Sequence, residues 1–294
     1  MVEQGTTHYA WRYIMVRFFD FSRFHGKDPQ GSTNIRVMQP IKYWDEAERY
    51  KYGENPDVLI FQKVYMLPDY KFPRDFEGIK ILDICDPDWL DQANIVETCN
   101  AMDAITCSSE NLAKFVRQFH KNVHVIPDRF DLEVIPKPVQ HISKAKSVVW
   151  FGYSHNSVLM KQAMTLLDEL DLKLTVISND DTFLHQFSKR NYKDFYTYLK
   201  YDEDTIYQEL QKHDFAILPE GYRPQDHFKS NNKTIKANLA GLPVAKTADD
   251  VRLYMDAKER QAWFDTNYAK IQEEYDIRKS VEQYKGIIDA ITSK

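Results

Sequence analysis

Short apolar runs that do not alternate, separated by stretches with helical periodicity, govern what this chain can fold into. Val58–Phe61 (VLIF), Ser147–Phe151 (SVVWF) and Phe215–Leu218 (FAIL) are almost continuously apolar. A strand with one face in water alternates apolar and polar residues; a strand apolar throughout needs cover on both faces, as parallel strands under helices have. The runs fall into two sets. Tyr13–Phe18, Val58–Phe61, Lys80–Asp83, Ala104–Thr106 and Val123–Ile126 form the first; Ser147–Phe151, Lys173–Ile177, Phe195–Tyr198, Phe215–Leu218 and Pro243–Ala245 form the second. Helical patterns lie between them at Ile35–Tyr50, Asp88–Ala101, Ser109–Phe119, Ser157–Leu170, Asp204–Lys212 and Asn232–Ala240. This alternation predicts an α/β fold of two Rossmann-like, doubly wound parallel-sheet domains facing a cleft.

A chain of 294 residues that is 43% hydrophobic can bury two cores. The first domain is expected over residues 1–133. Residues 134–146 read as a linker carrying Pro136 and Pro138, and residues 147–270 as the second domain. Residues 271–294 then form a C-terminal helix that returns to the first domain. Tyr275, Val281, Tyr284, Ile287, Ile288 and Ile291 give it an apolar face.

The net charge of −5 provides no global basic field for nucleic acid, although a local basic groove stays open. The three cysteines, Cys85, Cys99 and Cys107, are too few and too scattered for a disulfide framework or structural zinc, and read as buried thiols. No apolar run approaches the ~18 residues of a membrane-spanning helix, and no leader pattern opens the chain, so a soluble cytoplasmic protein is expected.

Ligands of open α/β sheets bind beyond the C-terminal ends of the strands. After Phe215–Leu218, the segment Lys229-Ser230-Asn231-Asn232-Lys233 stands at a helix start. Free backbone N–H groups and the helix dipole favour an anion there, and the lysines add charge; an ordinary Ser or Asn cap is the alternative. After Ser147–Phe151 come Gly152, Tyr153, Ser154, His155 and Asn156, where Gly152 permits close backbone approach and Ser154, Asn156 and Ser157 read as caps of the next helix. His155 could meet a phosphate or a sugar hydroxyl, and Tyr153 could stack a base or sugar.

In the first domain a loop with Gly26 and Gly31 leads to a cap at Ser32 or Thr33, with Asn34 and Arg36 opening a helix. The Arg36 fork suits an anionic or hydroxyl-rich ligand. Lys63 follows a buried strand on the cleft rim. Asp83, Asp86 and Asp88 cluster at the next strand end: Asp88 reads as a helix N-cap, while Asp86 or Asp83 could orient an acceptor hydroxyl or act as base.

With these loops in place the chain resembles the GT-B glycosyltransferases, in the retaining, nucleotide-sugar-dependent branch typified by glycogen synthase. Ile126-Pro127-Asp128-Arg129-Phe130-Asp131 looks like that family's hinge segment, and Val149 to Asn156 like the strand and glycine loop that open its donor domain. Leu218-Pro219-Glu220, Ser230-Asn231-Asn232-Lys233 and Ala240-Gly241-Leu242-Pro243-Val244 look like its donor-nucleotide segment. The resemblance implies transfer of a sugar from a nucleotide-diphosphate sugar, such as a UDP-sugar, to an acceptor hydroxyl, with retention and without a metal or a tightly bound cofactor. Donor contacts would be Gly152, Tyr153, Glu220, Ser230, Asn231, Asn232 and Lys233. Asp86, Arg36 and His155 would be catalytic, and Asn34, Lys63 and Asp83 would lie on the acceptor side. The acceptor could be a glycan, a small molecule or a hydroxymethylated DNA base. Closure of the domains would exclude water. One departure stands out: Lys236 occupies the position of the family glutamate that holds the donor ribose, and lysine accepts no hydrogen bonds. A sugar-nucleotide-binding protein without transferase activity, or a nucleotide-sugar epimerase, are the alternatives.

Overall fold

The structure, a computed structural model, describes residues 14–26, 31–65, 75–91, 94–182 and 196–293. It divides into two compact units, Met1–Ile126 with Val281–Lys294, and Pro127–Ser280.

The first unit holds a wholly parallel sheet of β1 (Val16–Asp20), β2 (Ala47–Arg49), β3 (Val58–Gln62), β4 (Ile79–Ile84), β5 (Ala104–Cys107) and β6 (Val123–Val125). Their order is β2-β1-β3-β4-β5-β6. β3 is buried at every position, which explains its continuous apolar run. Phe18, Ile60, Ile81 and Trp44 form a core with Val281, Tyr284, Ile287 and Ile288 of the helix Ile277–Thr292. The apolar stripe read from the last residues is therefore spent on the first sheet.

The region expected to be one helix over Ile35–Tyr50 is broken up. A π-turn, Asn34–Met38, runs into a helical turn, Gln39–Lys42, with Pro40 near its start, and Ala47–Arg49 then becomes β2 beside β1. Pro40 is tolerated only at a helix start, and the free edge of β1 offers the following backbone a ladder. Ser32 and Thr33 do not cap: their hydroxyls bond Gln62, and Thr33 also bonds Ser22. Asp88 does not cap either. It opens the turn Asp88–Asp91, and Asn94 caps the helix Ile95–Asn100 by accepting from the Glu97 N–H. Ser109 does cap the helix Glu110–Val116. The three cysteines are buried and free. Tyr13, placed in the first strand by the sequence pattern, lies outside the described residues, as does Phe195.

The second unit holds β7 (Ser147–Phe151), β8 (Lys173–Ser178), β9 (Tyr196–Lys200), β10 (Phe215–Ile217) and β11 (Val244–Ala245), all parallel, in the order β11-β10-β7-β8-β9. The strand order reverses direction at β7 and β10, the switch point where open α/β sheets leave a crevice. The stretch 134–146 is packed onto this unit. His141 is buried with its Nε2 3.0 Å from the Gly241 carbonyl, and the Ala145 N–H donates to Met255. Gly241 ends the helix Asn232–Leu239 with φ +88°, and a Cβ there would lie 2.6 Å from Pro138, so both backbone and packing demand glycine.

Candidate functional site

In the second unit, the loops after β7 and β10 bring together a cation-rich group. The helix Asn232–Leu239 begins with no side-chain cap. The Ile235 N–H donates to the Asn231 carbonyl at 2.9 Å. The N–H groups of Asn232, Lys233 and Thr234 thus have no acceptor among the described residues, and they carry the positive end of the helix dipole. Neither neighbouring residue caps it. Ser230 donates its hydroxyl to Asp128, 2.5 Å away, and the Asn231 side chain makes no cap bond. The ordinary cap by Ser230 or Asn231 is therefore not formed at this helix.

Lys233 extends from this helix across Gly152. A Cβ on Gly152, at φ +147°, would lie 3.4 Å from both Lys233 Cδ and Nζ. The ammonium also stands 5.6 Å over the Trp150 ring. Gly152 thus makes room for a lysine, while its own N–H is committed to the Ile177 carbonyl. Lys233 has no carboxylate or hydrogen-bond partner among the described residues. Burial, and then the charges of Lys229 and Arg223, pull its pKa down to about 8.

The other cations are paired. Arg223 grips Asp226 through Nε and Nη2, each at 2.9 Å, and Lys229 Nζ reaches Asp226 at 2.9 Å. Burial works to raise the Asp226 pKa, and the bonds from Arg223 and Lys229 overcome it and hold the carboxyl well below its usual range. Arg223 Nη2 also donates to Asn156 Oδ1 at 2.7 Å. Asn156 in turn contacts His155, whose exposed ring is stacked with Tyr153 at 5.9 Å and 15°. Ser154 opens a 3-10 helix, Ser154–Gln162, and its N–H is taken by Asn179. The expected cap by Ser154, Asn156 and Ser157 is absent, because Asn156 turns toward Arg223 and Ser157 is buried. Glu220 is largely exposed, with Lys246 Nζ at 3.5 Å.

Lys236 belongs to a different structure. Its buried ammonium lies 2.8 Å from both Glu203 Oε1 and Tyr201 OH, among the rings of Phe130, Tyr201 and Tyr207. A lysine here neutralises a carboxylate and fills an aromatic box. Glu203, about one-third exposed, is the acceptor-bearing group beside this helix.

In the first unit, Arg36 and Asp83 are not at a surface. Arg36 forks onto Asp83 at 2.9 and 2.5 Å and donates to the Ile126 carbonyl, while Asp83 also accepts from Thr106 and Tyr284. Both side chains are buried. Asn34 opens the π-turn, and its carbonyl accepts from Gln39. Lys63 and Asp86 stand together beyond β3 and β4. Lys63, at φ +53°, places Nζ 2.7 Å from Asp86 and 3.3 Å from Asp88, and Tyr65 donates to Asp88 at 2.6 Å. Burial works to lower the Lys63 pKa, and Cys85, Asp86 and Asp88 overcome it, so the lysine stays charged. Burial raises Asp88. Asp86 is the exposed member, its side chain 39% accessible. The space between the carboxylates is thus filled by a lysine cation. Among the described residues no group of three or more His, Cys, Asp or Glu side chains could hold a metal ion.

The sequence reading missed Arg223, Asp226, Asn179, Tyr201 and Glu203. The i,i+3 spacing of Arg223 and Asp226 around Pro224 was the one local signal.

Two parallel-sheet α/β units with these strand orders define the GT-B fold. No family model and no curated protein matches the chain by sequence. Among solved structures it is similar to a glycosyltransferase from Rickettsia africae ESF-5, with a TM-score of 0.62 and 8% identity over 96% of this chain and 99% of that one. It is similar to TarM with a TM-score of 0.61 and 13% identity over 86% of this chain, and spans 56% of the TarM chain. T4 phage BGT, solved with its UDP-glucose substrate, gives a TM-score of 0.54 and 9% identity over 94% and 98% of the two chains.

Proposed function

We propose that this protein is a glycosyltransferase that moves a sugar from a nucleoside-diphosphate sugar to an acceptor hydroxyl. The observation that carries this reading is the uncapped start of the helix Asn232–Leu239 beside the unpaired Lys233 ammonium, at the switch point of the second sheet. Breaking the sugar C1–O bond leaves negative charge on a diphosphate. Fixed N–H dipoles and a desolvated cation stabilise that developing charge without reorganising. The likeness in fold to a glycosyltransferase from Rickettsia africae and to T4 phage BGT, solved with its UDP-glucose substrate, supports the reading.

The new C1–O bond forms to the acceptor oxygen, and its proton must leave. Asp86 is the proposed base: a partly exposed carboxylate 2.7 Å from the Lys63 ammonium. Lys63 positions Asp86. Arg36 and Asp83, buried in one another's grip, are proposed to hold β4 and the returning helix together rather than to touch substrate. Ser230 and Asn231 are proposed to shape the loop, and Tyr153 to stack on the nucleotide or sugar. We extend the proposal to metal-independent transfer, since Lys233 and the helix start supply the positive charge a metal would bring, and to retention of configuration, which rests on the sequence resemblance. The acceptor is a glycan, a small molecule or a hydroxymethylated DNA base, and the co-substrate is the nucleotide sugar. A cytoplasmic location completes the proposal; among the described residues no helix is long and apolar enough to cross a membrane.

A thermal-shift panel of nucleoside diphosphates and their sugars tests the reading, because a ligand that binds only the folded state raises Tm. A rise of several degrees with a nucleoside diphosphate, lost in Lys233→Ala, is expected. No rise with any member of the panel would overturn the proposal. Transfer in the presence of a chelator, with the product anomer read by NMR, decides metal dependence and retention.

A further inference from the structure

Four side chains in the second unit form a directed chain of hydrogen bonds that ends at His155. Arg223 is fixed at one end by its double contact with Asp226, at 2.9 Å on each side, and by the bond from its own N–H to Asp226 at 3.1 Å. A guanidinium has donors and no acceptor. The Asn156 atom 2.7 Å from Arg223 Nη2 is therefore the amide oxygen, and the atom facing His155 at 3.1 Å is the NH2. That NH2 can only donate here, so His155 Nε2 must accept and carries no proton. The single proton of a neutral imidazole then resides on Nδ1.

An imidazolium is disfavoured on the same geometry, since an Nε2–H would face the Asn156 NH2. The charged groups acting on the ring include Lys229, Arg223 and Lys233, opposed by Asp180. Burial and those three cations depress the His155 pKa. The stacked Tyr153 ring fixes the plane. Nδ1 has no partner among the described residues.

We propose that Asn156 and Arg223 are positioning residues that lock His155 as its Nδ1–H tautomer, and that this neutral N–H is a hydrogen-bond donor to a diphosphate oxygen. His155 then takes no proton from the acceptor and gives none to the leaving group; it stabilises charge without transferring it. The inference deepens the glycosyl-transfer reading and rests on it.

Long-range 1H–15N NMR of the full chain with 15N-labelled histidine tests this, with the His155 signals assigned by their loss in His155→Gln. The free protein should show a protonated Nδ1 and an unprotonated Nε2. Both UDP and inorganic pyrophosphate should move the Nδ1–H resonance, because they share the diphosphate. Asn156→Asp, which presents an acceptor to Nε2, should shift the proton there. Asn156→Ala should weaken UDP about tenfold, the order expected for losing a hydrogen bond to a charged group. In calorimetry His155→Gln, which keeps a donor, should bind UDP more tightly than His155→Ala. An Nε2–H tautomer in the free wild-type protein would overturn the inference while leaving the transferase reading intact. An Nδ1–H signal that UDP moves and pyrophosphate does not would overturn the diphosphate as its partner. UDP and pyrophosphate that bind and leave Nδ1–H unmoved would overturn the donor role. Failure of every nucleoside diphosphate to bind by calorimetry would instead bring down the transferase reading, and the donor role with it.

Discussion

Lys233 is a cation with no ion-pair partner among the described residues, and its protonation should be visible in two opposite ways. Its folded-state pKa lies near 8, below the 10.5 of a free lysine. Between those values the unfolded chain holds a proton that the folded one lacks, so this residue makes stability rise with pH through about 8 and upward. Diphosphate affinity should fall over the same rise, because the deprotonated amine attracts no anion. Urea unfolding and calorimetry of wild type against Lys233→Met at pH 7 and pH 9 should show both trends, and the variant neither. Arg36 behaves differently. Arg36→Ala leaves the Asp83 carboxylate buried without its main partner and should cost about 3–5 kcal/mol in urea unfolding, with the fold lost before any specific effect on substrate is seen. Lys233 was legible in the sequence because helix start and charge are local signals. The fate of Arg36 was not: its partners Asp83, Thr106, Ile126 and Tyr284 come from distant segments, and a loop arginine reads the same whether it faces solvent or core.

The central strands β3, β5, β7 and β10 were legible because burial on both faces leaves a continuous apolar run. β2 was not. Ala47-Glu48-Arg49 is short, polar and buried on one side only, and follows a helical periodicity that Pro40 interrupts. The proposed anion site stood in the sequence as a helix start but not as an uncapped one, since Ser230 and Asn231 are good caps by composition and the Asp128 contact withdraws the serine. The end of that helix supplies a test of the element itself. Gly241→Ala forces a side chain into φ +88° and against Pro138, and should destabilise the protein by about 1–3 kcal/mol. The helix Ile277–Thr292 gives a second. Val281, Tyr284, Ile287 and Ile288 are buried in the first core. At roughly 1.5–3 kcal/mol for each buried apolar side chain, their loss rivals the whole stability of a domain, about 5–15 kcal/mol. A chain ending at Ser280 should therefore lose cooperative unfolding of the first unit by circular dichroism; an unchanged melting profile would contradict that docking.

At the scale of the molecule, the sequence spans two units, and the chain passes from first to second after Ile126 and back after Ser280. On the second-unit side, both passages are tied together. Arg129 donates to Ser280 and to the Glu274 carbonyl, and Phe130 exchanges backbone bonds with Tyr275 and Ile277. The helix Ile277–Thr292 buries its apolar stripe in the first core, and within residues 134–146 His141 is buried and bonded to the Gly241 carbonyl, a contact that a composition of proline and lysine does not disclose. Every group placed around the diphosphate belongs to one unit, so Pro127–Ser280 alone should bind a nucleoside diphosphate, and the wild-type chain should need both units to transfer sugar.

The central claim is that a diphosphate sits on the open N–H groups at the start of the helix Asn232–Leu239. Amide NMR of the full chain titrated with a nucleoside diphosphate tests it most directly. The account predicts that the N–H signals of Asn232, Lys233 and Thr234 shift downfield together, and that Lys233→Ala weakens the response by about tenfold or more. Saturable binding that leaves those amides unmoved and perturbs a different loop would contradict it.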